Sequence, residues 1–135
     1  MACFAVDPVK GCLTELPDAA MMPADFSGQP MTADIHLTQD GRFLYASERV
    51  LNTIVAYRVD QASGALSLIE TVFNGGRPRA FAIAPDDSFM LVAGQDTGTI
   101  TAYAIDPGSG SLKKGVQFEA GPQPNWIEFI EVGVD

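Results

Sequence analysis

Short runs of alternating apolar and polar residues, broken by Asp, Asn, Gly and Pro, fill most of the chain. Such runs read as half-buried β-strands joined by turns. They also repeat. Ile54-Val55-Ala56-Tyr57-Arg58-Val59-Asp60 returns as Ile100-Thr101-Ala102-Tyr103-Ala104-Ile105-Asp106, and 100 − 54 gives an offset of 46. The same offset pairs Leu37 with Ile83, Asp40 with Asp86, Phe43 with Phe89, Gly64 with Gly110, Gly75 with Gly121 and Pro78 with Pro124. A repeat of about 40 to 50 residues made of short strands marks a β-propeller blade. The predicted fold is all-β, a β-propeller fragment of about two and a half to three four-stranded antiparallel blades.

Each blade is expected to run outward from its inner strand. Residues 33–37 form the first inner strand, the Asp40-Gly41 turn leads into a second at 42–47, and 54–59 and 66–73 follow. Residues 80–125 repeat this plan. Phe4-Ala5-Val6-Asp7, Gly11 and Leu13 match the third and fourth strands at an offset of 53 (57 − 4), so the connection after them is seven residues longer (53 − 46). Residues 126–132 alternate like a further inner strand. The chain thus divides into residues 1–32, the end of a blade plus a long return loop; 33–79 and 80–125, two full blades; and 126–132, one more inner strand. A closed propeller takes at least about four blades, so the expectation is further N-terminal blades or closure by self-association. Until then the end blades expose apolar faces.

Composition narrows the function classes. A hydrophobic share of 47% fits a folded domain, and no apolar run approaches the roughly 20 residues of a membrane span. Residues 1–13 lack the basic-then-apolar order of a signal peptide. A net charge of −9 argues against a nucleic-acid partner and means that an anionic ligand needs a local basic cluster. Cys3 and Cys12 have no His or Cys neighbour at metal spacing, and are expected to be two buried, reduced thiols suited to the cytoplasm.

Successive connections of a blade fall on opposite faces of a propeller. The tight turns at Asp40-Gly41, Gly64, Asp86 and Gly110 share one face, and the longer connections at 17–32, 48–53, 74–79, 94–99 and 121–125 share the other. That second face collects Arg49, Arg77 and Arg79, three of the five arginines, with Glu48, Gln95, Asp96, Gln123 and Asn125. Guanidinium groups match phosphate or carboxylate oxygens two at a time, so this rim reads as an anion site or as ordinary solvated loops. The lone histidine, His36, lies on a strand, where a packed structural role is the commoner outcome. No Ser-His-Asp order, Gly-rich phosphate loop or metal-ligand cluster stands in the sequence, and the aromatic residues fall at strand positions that read as core.

Met21-Met22-Pro23-Ala24-Asp25-Phe26 and the run Ala33-Asp34-Ile35-His36-Leu37-Thr38-Gln39-Asp40-Gly41-Arg42-Phe43-Leu44-Tyr45-Ala46 resemble the bacterial 6-phosphogluconolactonases of the seven-bladed propeller type. Pro78-Arg79 before Phe81, Ala93-Gly94-Gln95, and Gly121-Pro122 leading to Trp126 continue the likeness, which covers roughly residues 3 to 132. That family also includes fungal carboxymuconate cyclases. The resemblance implies the C-terminal part of a seven-bladed ring. It also implies hydrolysis of the anionic sugar-phosphate lactone 6-phospho-D-glucono-1,5-lactone to 6-phosphogluconate in the pentose phosphate pathway, without metal or cofactor. Ring opening needs a base-activated water and a stabilised oxyanion. By the same resemblance Arg49 is expected at the substrate or oxyanion, Arg77 and Arg79 at the phosphate and Gln95 at a polar group, with His36 a weaker catalytic candidate. Two rivals remain: a lactone-forming cyclase, which also needs arginines, and a non-catalytic propeller used as a binding surface.

Overall fold

The computed structural model describes residues 1–130, 132 and 133. β1 (Cys3–Asp7) and β2 (Cys12–Leu16) form a hairpin. β3 (Thr32–Leu37), β4 (Phe43–Glu48), β5 (Thr53–Val59) and β6 (Leu66–Phe73) form one antiparallel sheet in chain order. β7 (Pro78–Ile83), β8 (Phe89–Gly94), β9 (Thr99–Ile105) and β10 (Leu112–Glu119) form a second. Each is the four-stranded meander of a propeller blade. The register repeats as well: Glu48 stands opposite Thr53 in the first sheet, and Gly94 opposite Thr99 in the second.

The 46-residue period reaches the backbone. Positive φ recurs at Gly41 and Asp87, Asn52 and Gly98, Gly64 and Gly110, Gly75 and Gly121, and Arg77 and Gln123. Gly pays no Cβ penalty in this left-handed region, and Asn and Asp tolerate it better than other side chains. Arg77 and Gln123 are the exceptions, with φ of 46° and 53°.

The core lies between the two sheets. Phe43, Tyr45, Ile54 and Ala56 of the first pack on Phe81, Met90, Val92, Tyr103 and Ile105 of the second. Apolar side chains buried at this depth contribute about 1.5–3 kcal/mol each. A smaller cluster joins Val55 and Tyr57 to Ala19 in the long connection. Every tyrosine ends in a bond to a neighbouring unit: Tyr45 donates to the Gly110 carbonyl at 2.9 Å, Tyr103 to Asn74 Oδ1 at 3.1 Å, and Tyr57 to the Ala20 carbonyl. Burial pushes the Tyr57 phenol up to about 12. On the tight-turn face Arg42 and Arg58 lie over the Phe43 ring, 5.2 and 5.0 Å from its centroid, and bond the carbonyls of Pro107 and Gly108 in the next blade. These two arginines are inter-blade clamps.

Three expectations change. Residues 126–130 form no strand, and Trp126 is 74% exposed rather than core. Among the described residues no strand pairs with this segment to take its N–H and C=O groups, and a strand cannot stand without such a partner. Glu131, also in that expected strand, lies outside the described residues. Nor are the thiols both buried: Cys3 is half-buried and Cys12 exposed, because packing covers only part of the hairpin. Cys3 stands opposite Leu16 and Cys12 opposite Asp7. Four residues of strand, roughly 13 Å, therefore separate the two sulfurs' positions, too far for a disulfide.

Candidate functional site

The loop between β4 and β5 begins with a buried carboxylate. Glu48 Oε1 accepts the Met31 N–H at 2.7 Å, and Oε2 accepts those of Val50 and Leu51 at 2.9 and 2.6 Å. Glu48 is thus committed to main-chain donors, which ties the end of the long connection to this loop. Among the described residues its neighbour Arg49 is left free of a carboxylate. The Arg49 Nη2 group donates to Gln95 Oε1 at 3.0 Å, while its Nε is buried with no partner among the described residues. A guanidinium whose one recorded side-chain partner is a neutral amide keeps its whole charge for an anion.

Arg77 reaches the same place from the connection between β6 and β7. Its N–H donates to Asn52 Oδ1 at 2.8 Å, and its carbonyl accepts the Gln95 N–H at 3.3 Å. Its guanidinium lies 3.7 Å from Met31 Sδ through Nη2 and 3.8 Å from Asp96 Oδ2 through Nε. Four connections therefore converge and bring Arg49, Gln95 and Arg77 together. Arg79 stands two residues on, exposed in β7, and its side chain forms no hydrogen bond or ion pair among the described residues.

His36 belongs to a different group. It lies on β3 five residues past Met31, roughly 16 Å of extended chain, and packs edge-on against Phe81 with centroids 4.8 Å apart. Its Nε2 is 3.2 Å from Asp34 Oδ1, and Asp34 Oδ2 accepts the Phe81 N–H at 3.1 Å. This pair borders a cleft of about 280 Å³ between β3, β7 and residues 126–129. No recorded contact joins it to the arginines. A second cleft, of about 660 Å³, is lined by Met1, Ala19, Met21, Thr32 and Ile35, with no arginine in its lining. It is the uncovered flank of β3, where Ile35 is 49% exposed.

Sequence reasoning missed Asp34 and Asn52. Spacing of two along a strand puts Asp34 on the face of His36. Asn52 aligns with Gly98 across the repeat, a signal that both positions need positive φ.

Packed four-stranded sheets whose loop face carries Arg49 and Arg77 on neighbouring connections, linked through Gln95, define a β-propeller with a basic rim on an acidic molecule. The chain belongs to the seven-bladed β-propeller lactonase family, whose family model matches residues 1–129. It is 34% identical over 127 residues to the 6-phosphogluconolactonase of Serratia proteamaculans, covering 94% of this chain and 38% of that protein. A solved Lactobacillus plantarum protein superposes with a TM-score of 0.90 at 34% identity, over 96% of this chain and 38% of that one. The periplasmic gluconolactonase of Pseudomonas aeruginosa gives 0.83 at 36% identity, over 90% and 34%. The chain spans about a third of the length of the curated relatives it matches.

Proposed function

We propose that this chain forms part of the substrate rim of a 6-phosphogluconolactonase, acting on 6-phospho-D-glucono-1,5-lactone. The observation that carries this reading is the Arg49 guanidinium, paired to the amide of Gln95 while the adjacent Glu48 is spent on three main-chain N–H groups. The named relatives support the substrate class.

Water adds to the lactone carbonyl, giving a tetrahedral oxyanion; the ring C–O bond then breaks and the ring oxygen leaves as a hydroxyl after taking a proton. Arg49 is assigned to the oxyanion or the substrate, with Gln95 as its hydrogen-bonding neighbour. Arg77 and Arg79 are assigned to the phosphate, whose oxygens accept two guanidinium bonds each. His36 keeps the place of a weaker catalytic candidate, because it packs with Asp34 and Phe81 away from the arginine cluster. The proposed location is the cytoplasm, which the unpaired thiols Cys3 and Cys12 suit.

Calorimetric titration of the 135-residue chain with 6-phosphogluconate tests the rim directly. Arg49→Ala is expected to weaken binding at least about tenfold, the scale of a charge-assisted pair. Unchanged affinity would remove Arg49 from the site and the lactonase reading with it.

A further inference from the structure

The two blade junctions share one loop backbone, and the first carries a side-chain bond that the second lacks. Asn52 and Gly98 take φ of 59° and 66°, and Arg77 and Gln123 take 46° and 53°. In the first junction the Asn52 carbonyl accepts the Asn74 N–H at 2.8 Å. In the second the Gly98 carbonyl accepts the Ala120 N–H at 2.8 Å, and 52 + 46 = 98 just as 74 + 46 = 120. The same main-chain bond is made twice. What the first junction adds is Asn52 Oδ1, which accepts the Arg77 N–H at 2.8 Å. Gly98 has no side chain to offer Gln123, yet Gln123 holds the same left-handed conformation. The second junction is an internal control: the loop folds without this bond.

We propose that Asn52 is a positioning residue, holding Arg77 beside Arg49 so that the two guanidinium groups meet one anionic ligand as a pair. The hydrogen bonds close a circuit. Arg49 Nη2 reaches Gln95 Oε1, the Gln95 N–H reaches the Arg77 carbonyl, the Arg77 N–H reaches Asn52 Oδ1, and Asn52 lies three residues from Arg49 in one loop. Arg77 occupies a conformation that costs a side chain free energy, and Asn52 Oδ1 adds a bond to those that hold its backbone there. Among the described residues the Arg77 guanidinium is held only by a weak thioether acceptor at 3.7 Å and a long ion pair at 3.8 Å. A pair already in place loses less freedom when the ligand arrives. The identity of the ligand rests on the function proposed above; the positioning is readable without any ligand.

Asn52→Gly copies Gly98: it keeps access to positive φ and deletes Oδ1. Asn52→Asp keeps an acceptor. Two readouts are taken on the 135-residue chain: the nuclear Overhauser contact between the Arg77 guanidinium and the Met31 methyl, and affinity for 6-phosphogluconate. Asn52→Gly is expected to leave strand amide shifts unchanged, lose the Arg77–Met31 contact and bind about five- to tenfold more weakly. Asn52→Asp is expected to regain the contact. Retention of the contact in Asn52→Gly, or its loss in Asn52→Asp, overturns the positioning role. Loss of the contact with unchanged affinity overturns the claim that the arginines act as a pair. A wild-type chain that binds no 6-phosphogluconate defeats the proposed ligand, while the Arg77–Met31 contact still decides the role of Asn52.

Discussion

Arg49 and Gln95 are the same position of successive blades, 95 − 49 = 46 residues apart, and they bond to each other across the junction at 3.0 Å. One copy of the repeat supplies a charge and the next supplies the neutral group that orients it. Gln95→Leu removes that acceptor while leaving Arg49 in place. Affinity for 6-phosphogluconate is expected to fall about three- to tenfold, read by calorimetry, with the unfolding midpoint in urea nearly unchanged. Wild-type affinity in this variant would show that the bond does not orient the guanidinium.

The repeat also supplies a matched pair of glycine substitutions. A Cβ on Gly110 would stand 2.3 Å from Phe43 Cδ1, whereas the nearest atom to one on Gly64 is Leu16 Cδ1 at 4.0 Å. Both positions have positive φ, 78° and 73°. Gly64→Ala should cost about 1 kcal/mol for the left-handed backbone alone, and Gly110→Ala about 3 kcal/mol once ring displacement is added. Urea unfolding of the two variants gives the difference, and equal losses would mean that the ring moves aside freely.

Glu48→Gln tests the buried carboxylate. An amide has one acceptor oxygen, so at least one of the Met31, Val50 and Leu51 N–H groups loses its partner. A loss of about 2 kcal/mol is expected in chemical denaturation. A variant as stable as the parent would show that water replaces the lost acceptor.

Acid sensitivity follows from the turn aspartates. The Arg42 N–H and guanidinium, with the Thr38 hydroxyl, lower Asp40 from 3.8 to about 2. The hydroxyl and N–H of Ser63, Ser88 and Ser109 lower Asp60, Asp86 and Asp106. A carboxyl that binds its proton less readily when folded stabilises the fold above its unfolded value and loses that contribution as pH falls through its folded value. The urea midpoint should therefore drop between about pH 4 and pH 2, and Asp106→Asn should flatten that slope. A midpoint independent of pH in this window would contradict the turn bonds.

Much of the architecture was legible because alternation and turn residues are local and were written at a fixed spacing. The pairing of Ile54 through Val59 with its neighbours, and the return of the same strands around Ile100 through Ile105, needed no tertiary information. The site was legible only as a rim. That Glu48 turns to main-chain N–H groups rather than to Arg49 depends on where Met31 arrives from the long connection, which no local pattern reports. His36 reads as one residue of a motif, yet its partner is set by the packing of β3 against β7. Residues 126–130 carried a strand's pattern, but a strand also requires a neighbour.

The recurring positive-φ positions act as a ruler laid along the chain. One inserted residue between Gly41 and Asp87, or between Gly64 and Gly110, would carry an ordinary side chain into a conformation only a few residue types accept. Residues 17–31 carry no such mark, and there alone the spacing stretches from 46 to 53. Changes of length during descent, or a peptide grafted by design, are best accommodated in that stretch.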